Sequence, residues 1–253
     1  MATVADILQF IETLAPRSMK MDWDNVGLLC GSRSTPVTKV LVALDPFEHV
    51  CQEAADWGAE LIVTHHPLIF RPLPNVTDET SIGRGLMTLI KHDISAINAH
   101  TNLDCADGGV NDTLAEILGL ADVSIIGSEH LLRAGNFESD LPAFLSHVKA
   151  KLGCEGLRYV DGGKPVCKVA VGGGSCGSAL TEVAEAGCDT FVTADVKYNQ
   201  FWDAGELGIN LIDAGHFQTE NPVCAVLAEK IRKAFPETEV VLSKNHYDCM
   251  KFY

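Results

Sequence analysis

Two histidines stand side by side at the end of an apolar run, Leu61-Ile-Val-Thr-His65-His66-Pro67, and after a second such run His216 precedes Glu220 by four residues. His100 and Asp104 carry the same H-x-x-x-[DE] spacing. Imidazole nitrogen with carboxylate oxygen is the donor set that divalent transition metals take, so these positions point first to metal chemistry. Neighbouring side chains on an extended strand face opposite ways, and both imidazoles serve one site only where the chain turns, which Pro67 favours. Taken together, His65, His66, Asp104, His216 and Glu220 suit two divalent ions sharing a bridging carboxylate at roughly 3.5–4 Å separation. The ligand types accommodate zinc, iron, manganese or nickel equally. The bland alternative is that Asp104 and Glu220 only favour the helices that follow, with Thr219 an N-cap and Glu220 in the first turn.

The elements that must position these groups follow from periodicity. Val4 to Leu14 spaces Ile7, Leu8, Ile11 and Leu14 as a helix does and stops before Pro16. Lys39 to Leu44 is a short β-branched run, Val50 to Trp57 is helical, and Leu61 to Thr64 is a second buried strand. Strand, helix and strand within so short a span imply parallel pairing through a right-handed crossover. A further strand over Ile94 to Asn98 leads to His100 and Asp104, with a helix from about Asn111 to Leu118.

The second half replays this order. Lys39-Val-Leu-Val aligns with Lys168-Val-Ala-Val, and the same register sets Gly58 on Gly187, Thr64 on Thr193 and His66 on Asp195. Farther on, His100-Thr-Asn-Leu-Asp104 matches His216-Phe-Gln-Thr-Glu220, the shorter offset implying an insertion in the first half near the Pro-rich loop Arg71 to Asn75. The expected fold class is α/β, with two related α/β lobes, residues 1–126 and 127–253, carrying mostly parallel or mixed sheets. Their boundary is placed in the loop-like stretch from Leu120 to Asn136, and terminal elements can cross over. In open α/β sheets ligands bind beyond the carboxyl ends of strands, which is where all the polar candidates fall, so the metal site is expected at the inter-lobe cleft.

Composition narrows the function classes. With 47% hydrophobic and 21% charged residues, the chain is an ordinary globular protein. No apolar stretch reaches the roughly 20 residues that span a bilayer, and Met1 to Phe10 lacks a basic leader, so a cytoplasmic protein without membrane partners is expected. A net charge of -15 argues against an extended nucleic-acid footprint. The nine cysteines lack a C-x-x-C pair and read as thiols of a reducing compartment.

Two rival motifs share one loop. Gly172-Gly173-Gly174-Ser175-Cys176-Gly177 fits a dinucleotide fingerprint, with Asp195 as its acidic partner, but the first half lacks matching glycines. The same residues contain a G-x-S-x-G elbow around Ser175, followed by Asp195 or Asp213 and His216 in hydrolase order. Too few strands follow Ser175 for that fold.

The blocks Asp22-Trp-Asp-Asn-Val-Gly27, Leu61 to Pro67, His100 to Asp104 with Gly108-Gly-Val-Asn111, and Ala214-Gly-His-Phe-Gln-Thr-Glu220 resemble the signatures of the Nif-three-like family, often named GTP cyclohydrolase 1 type 2 homologues. The likeness runs nearly end to end. It implies a dinuclear site on His65, His66, Asp104, His216 and Glu220, with Glu220 the bridge and His100 beside them. It further implies a homo-oligomer in the form of a toroidal hexamer, and a metal-dependent hydrolase in which activated water attacks a nucleotide-like or other small substrate. His100, Asp45 and Asp195 are the candidates to orient that water or shuttle a proton. The alternative is a non-enzymatic metal-binding ring that acts as a scaffold or regulatory partner. Ala194 to Asn199 departs from the family pattern, so substrate specificity does not carry over.

Overall fold

The computed structural model describes residues 1–253. The chain opens with β1 (Ala2–Thr3), α1 (Val4–Leu14), β2 (Gly27–Cys30), β3 (Pro36–Val37), β4 (Lys39–Ala43), α2 (Glu48–Trp57), β5 (Leu61–Thr64), α3 (Ser81–Lys91), β6 (Ser95–Asn98) and α4 (Thr101–Cys105). There follow α5 (Val110–Leu118), β7 (Ala121–Ile126), β8 (Leu132–Ser139), α6 (Leu141–Leu152), β9 (Arg158–Val160) and β10 (Val166–Val171). The course ends with α7 (Leu180–Glu185), β11 (Thr190–Thr193), α8 (Tyr198–Leu207), β12 (Asn210–Asp213), α9 (His216–Glu220), α10 (Pro222–Ala234) and β13 (Glu239–Leu242).

Two compact units result, one of residues 1–107 and 223–248, the other of 108–222 and 249–253. Residues 108–126 fall in the second unit and not the first, while α10 and β13 cross over to the first unit, as terminal elements can. Their placement has a plain physical cause: β13 pairs in parallel with β4 and satisfies the backbone groups along the outer side of that buried strand. The stretch expected to be a loop at the boundary is instead the antiparallel pair β7 and β8. Its signal was weak because β7 is an edge strand whose residues are almost all exposed, so it lacks the apolar run that marks a buried strand.

In the first unit the sheet order is β13-β4-β5-β6-β2, parallel except for β2. Leu41, Ile62 and Ala96 from three adjacent strands pack with Val50, Ala54, Leu86 and Leu89 from α2 and α3. β5 is buried at all four positions, as a strand covered on both faces must be, which is why it reads as a continuous apolar run. Helix α1 starts where expected because Thr3 and Asp6 form a capping box, the Thr3 hydroxyl accepting from the Asp6 N–H.

The second unit has a sheet of order β7-β8-β10-β11-β12-β9. Strands β10, β11 and β12 are parallel, flanked by antiparallel β8 and β9. Its core lies on both faces of this sheet, with Phe144 and Val148 of α6 against Val169 and Val171, and Phe191 packed with Leu180 and Ala204. Both units are thus α/β with mixed sheets, and in each a run of parallel strands is followed at one edge by a short antiparallel strand. No helix is long and apolar enough to cross a membrane, and no disulfide joins the nine cysteines.

Candidate metal centre

In the first unit the chemistry gathers beyond the carboxyl ends of β4, β5 and β6. His65 and His66 follow β5 directly, and the turn at Pro67 brings both rings to one place, their centroids 4.9 Å apart. His100 follows β6, with its ring 5.2 Å from His65 and 5.5 Å from His66. One nitrogen from each of the three imidazoles lies within 4.8 Å of the other two. Asp104 sits on the short helix α4, and its Oδ1 is 3.5 Å from His65 Nε2.

Each imidazole is held by its other nitrogen. His65 Nδ1 lies 2.9 Å from the Ala99 carbonyl oxygen, His66 Nδ1 lies 2.7 Å from Asp45 Oδ1, and His100 Nδ1 lies 2.8 Å from Asp24 Oδ1. Carbonyl and carboxylate oxygens only accept, so each Nδ1 carries the proton and donates. In the neutral ring Nε2 is then the electron-pair donor, which is the tautomer a metal ligand needs. The sequence reading had no role for Asp24. Burial alone would raise its carboxyl, but hydrogen bonds from His100 and Thr101 outweigh that and hold it well below the usual carboxylate range. Asp24 lies within the Asp22-Trp-Asp-Asn-Val-Gly27 block, and the 76 residues between it and His100 hide its chemistry from the sequence.

The second unit carries its own constellation beyond β11 and β12. His216 opens α9, Glu220 lies one turn later on the same face, and His216 Nε2 is 2.9 Å from Glu220 Oε2. His216 Nδ1 donates to Asp195 Oδ2 at 2.7 Å, so this fourth imidazole is oriented as the others are. Thr219 is not the N-cap. It lies within α9, where its hydroxyl donates toward the Gly215 and His216 carbonyls and accepts from the Gly174 N–H.

Asp213 braces this end of the unit. Its Oδ2 accepts from the Val196 N–H at 3.0 Å and its Oδ1 from the Gly215 N–H at 3.1 Å, the residues next to Asp195 and His216 respectively. Arg158 pairs with the same carboxylate. Asp195 is held at φ 52°, a left-handed backbone that is uncommon outside glycine.

The glycine-rich loop after β10 resolves its two rival readings. The Gly173 N–H is taken by Asn111 Oδ1 at 2.7 Å and the Gly174 N–H by Thr219 Oγ1 at 3.0 Å, so neither points at a phosphate. Asp195, the acidic partner that a dinucleotide reading needs, is engaged by His216, and the His216 Nε2 that a serine nucleophile would need lies instead 2.9 Å from Glu220 Oε2. What the loop does is make room for Glu220. Gly174 has φ 63°, and a Cβ there would lie 2.1 Å from Glu220 Oε1. Glu220 is only 4% exposed, so a side chain at position 174 has no way to avoid it.

The expected residues therefore fall into two sets: His65, His66, His100 and Asp104 on the first unit, and His216 with Glu220 on the second. Asp45 and Asp195, expected to handle water or protons, are the hydrogen-bond acceptors that orient His66 and His216. The donor set in each unit, imidazole Nε2 with carboxylate oxygen, fits a borderline divalent cation.

Fold and donor groups define a class: an α/β protein of two mixed-sheet units whose strand ends carry a histidine and carboxylate cluster of the metal-binding kind. Within that class the chain belongs to the DUF34/NIF3 family (NGG1p interacting factor 3), whose model matches residues 2–248. It is 38% identical over 257 residues to a GTP cyclohydrolase 1 type 2 homolog of Clostridium perfringens, covering 98% of each chain. Among solved structures it resembles Staphylococcus aureus protein SA1388 with a TM-score of 0.92 and 27% identity, covering 100% of this chain and 99% of that one. Protein ybgI, of unknown function, shares the fold with a TM-score of 0.86 and 24% identity, over 96% and 98% of the two chains.

Proposed function

We propose that this chain is a metal-dependent hydrolase in which His65, His66, Asp104, His216 and Glu220 together hold two divalent cations, with Glu220 the shared ligand. The observation that carries the proposal is the common posture of four imidazoles, each with Nδ1 committed to an oxygen acceptor, which makes Nε2 the ring nitrogen suited to a metal. Structural histidines have no reason to adopt one tautomer in concert. A ligand set does, because the outer hydrogen bond both aims the ring and raises its basicity. His100 meets the same criterion and is included as a further ligand or as a proton-holding neighbour.

Divalent cations bound at such a set supply Lewis acidity and make water acidic near neutral pH. The chain's own groups do the rest. Asp24, Asp45 and Asp195 keep the imidazoles in register and balance their charge. Buried Glu220 brings negative charge that favours cations over anions. The substrate class proposed is small and nucleotide-like, in keeping with the name of the Clostridium perfringens relative. The family resemblance also supports a homohexameric ring, which light scattering on the purified chain tests directly.

The deciding experiment uses protein stripped with a chelator and reloaded with zinc, iron, manganese or nickel, assayed against GTP, phosphoesters and amides. A stoichiometry of two ions per chain, with turnover that returns only on reloading, is expected. The His65→Ala, Glu220→Ala double variant should lose metal and turnover while keeping its native mass. Turnover indifferent to metal removal sinks the reading. Metal bound at full occupancy without hydrolysis of any class would leave the scaffold alternative in its place.

A further inference from the structure

The first unit displays two large aromatic side chains that its core does not use. Trp23 is 63% exposed and Phe70 is 42% exposed, yet both lie against the histidine cluster. Their rings are 5.8 Å apart at 78°, Trp23 is 6.3 Å from the His100 ring at 75°, and Phe70 is 6.1 Å from it at 83°. The three planes are thus close to mutually perpendicular. A fourth flat ring laid parallel to any one of them meets the other two edge to face, and both contacts are favourable for aromatic quadrupoles.

An exposed Trp on a loose loop would be unremarkable, but this one is held. The Met21 N–H donates to Thr101 Oγ1 at 3.0 Å, and Asp24 accepts from His100 and Thr101. Asn25 Nδ2 donates to the Ile69 carbonyl at 2.6 Å, which ties the loop of Trp23 to the residue preceding Phe70. Asn98 Nδ2 in turn donates to the Asn25 carbonyl at 3.1 Å. The fold therefore spends backbone order on presenting an indole to solvent, where it gains little burial energy. Such pre-organisation lowers the entropic cost of binding a ligand.

We propose that Trp23 and Phe70 form a stacking platform for a planar heteroaromatic ring of nucleobase type, seated beside His100. The inference rests on the hydrolase reading of the site and specifies its substrate class. The flat ring of such a ligand is the group that the aromatic pair recognises here. Stacking of this kind tolerates different bases because every base offers a π-face.

Binding of guanosine, adenosine and pterin to the metal-loaded protein is measured by calorimetry, with ribose 5-phosphate as the control. The ring-bearing probes should bind and the control should not. Trp23→Ala should weaken binding at least tenfold, Phe70→Ala less, and Trp23→Phe should stay within about threefold of the native protein, all with native metal content. Failure of every ring-bearing probe to bind, equal binding by Trp23→Ala, or ribose 5-phosphate binding as tightly as guanosine would each overturn the inference. So would a change of native mass in Trp23→Ala with probe binding intact, which would assign the aromatic pair to self-association. Metal content, read separately on the same samples, tells failure of the platform from failure of the metal site.

Discussion

An imidazole can give a metal only one nitrogen, so what its second nitrogen touches decides whether it is a usable ligand. Here Asp45 and Asp195 do that work for His66 and His216, each at 2.7 Å and each across 21 residues of chain. Asp45→Ala should therefore weaken metal affinity about 10–100-fold, the usual effect of losing such a partner, while the thermal melt of the stripped protein barely moves. Competition with a chromophoric chelator reads the affinity; an unchanged value would remove the orienting role. Gly174 makes the complementary case. Gly174→Ala both strains a left-handed backbone, at roughly 1–2 kcal/mol, and drives a methyl into Glu220, so lowered stability and lost metal should appear together.

At the scale of elements, the site depends on parallel strands ending side by side and on two five-residue helices, α4 and α9, that follow β6 and β12. The strands were legible in the sequence because a strand covered on both faces is mostly apolar, as Leu61 to Val63 and Ala96 to Ile97 are. The short helices were not, since one turn carries no periodicity to detect. Asp104 and Glu220 were found by spacing alone. Asp213, at the end of β12, offers the sequence only a place in a rival motif, yet its carboxylate accepts from the Val196 and Gly215 N–H groups and braces both loops. Asp213→Ala should strand the Val196 and Gly215 N–H groups at about 1–3 kcal/mol in urea unfolding and loosen metal binding as well. Asp213→Asn, which keeps one acceptor, should recover part of both, whereas equal damage from the two variants would argue against the brace.

For the whole molecule, buried titratable groups set a pH window of stability. His246 accepts a hydrogen bond from the Leu44 N–H, and burial, opposed by nearby carboxylates, pushes its imidazole below the ordinary value of 6.5. A lowered histidine contributes stability that is present above about pH 6.5 and lost as the pH falls. Burial pushes the Cys51 thiol up to about 12 and Cys154 to about 11, from an ordinary 9.0, so their contribution is present below pH 9.0 and lost as the pH rises beyond it. Denaturant midpoints should be highest between these limits, and Cys51→Ala should soften the alkaline fall. An alkaline limb unchanged in that variant would show that Cys51 does not contribute.

By itself the sequence determined that the chain is α/β, that its polar groups stand at strand ends, and that histidine and carboxylate types suited to a metal recur at one spacing. These are local facts, written in runs of apolar residues and in the residue that follows each run. Only the tertiary structure decided which oxygen holds each imidazole, since Asp24 lies 76 residues from His100 and no periodicity links them. It also decided that the glycine-rich loop opens space for Glu220, and that α10 and β13 return to the first unit. The physical reason is common to all three. Hydrogen bonds between strand ends, and the contact of a loop with a buried carboxylate, depend on the order in which strands pair, and that order is set by the packing of the whole sheet.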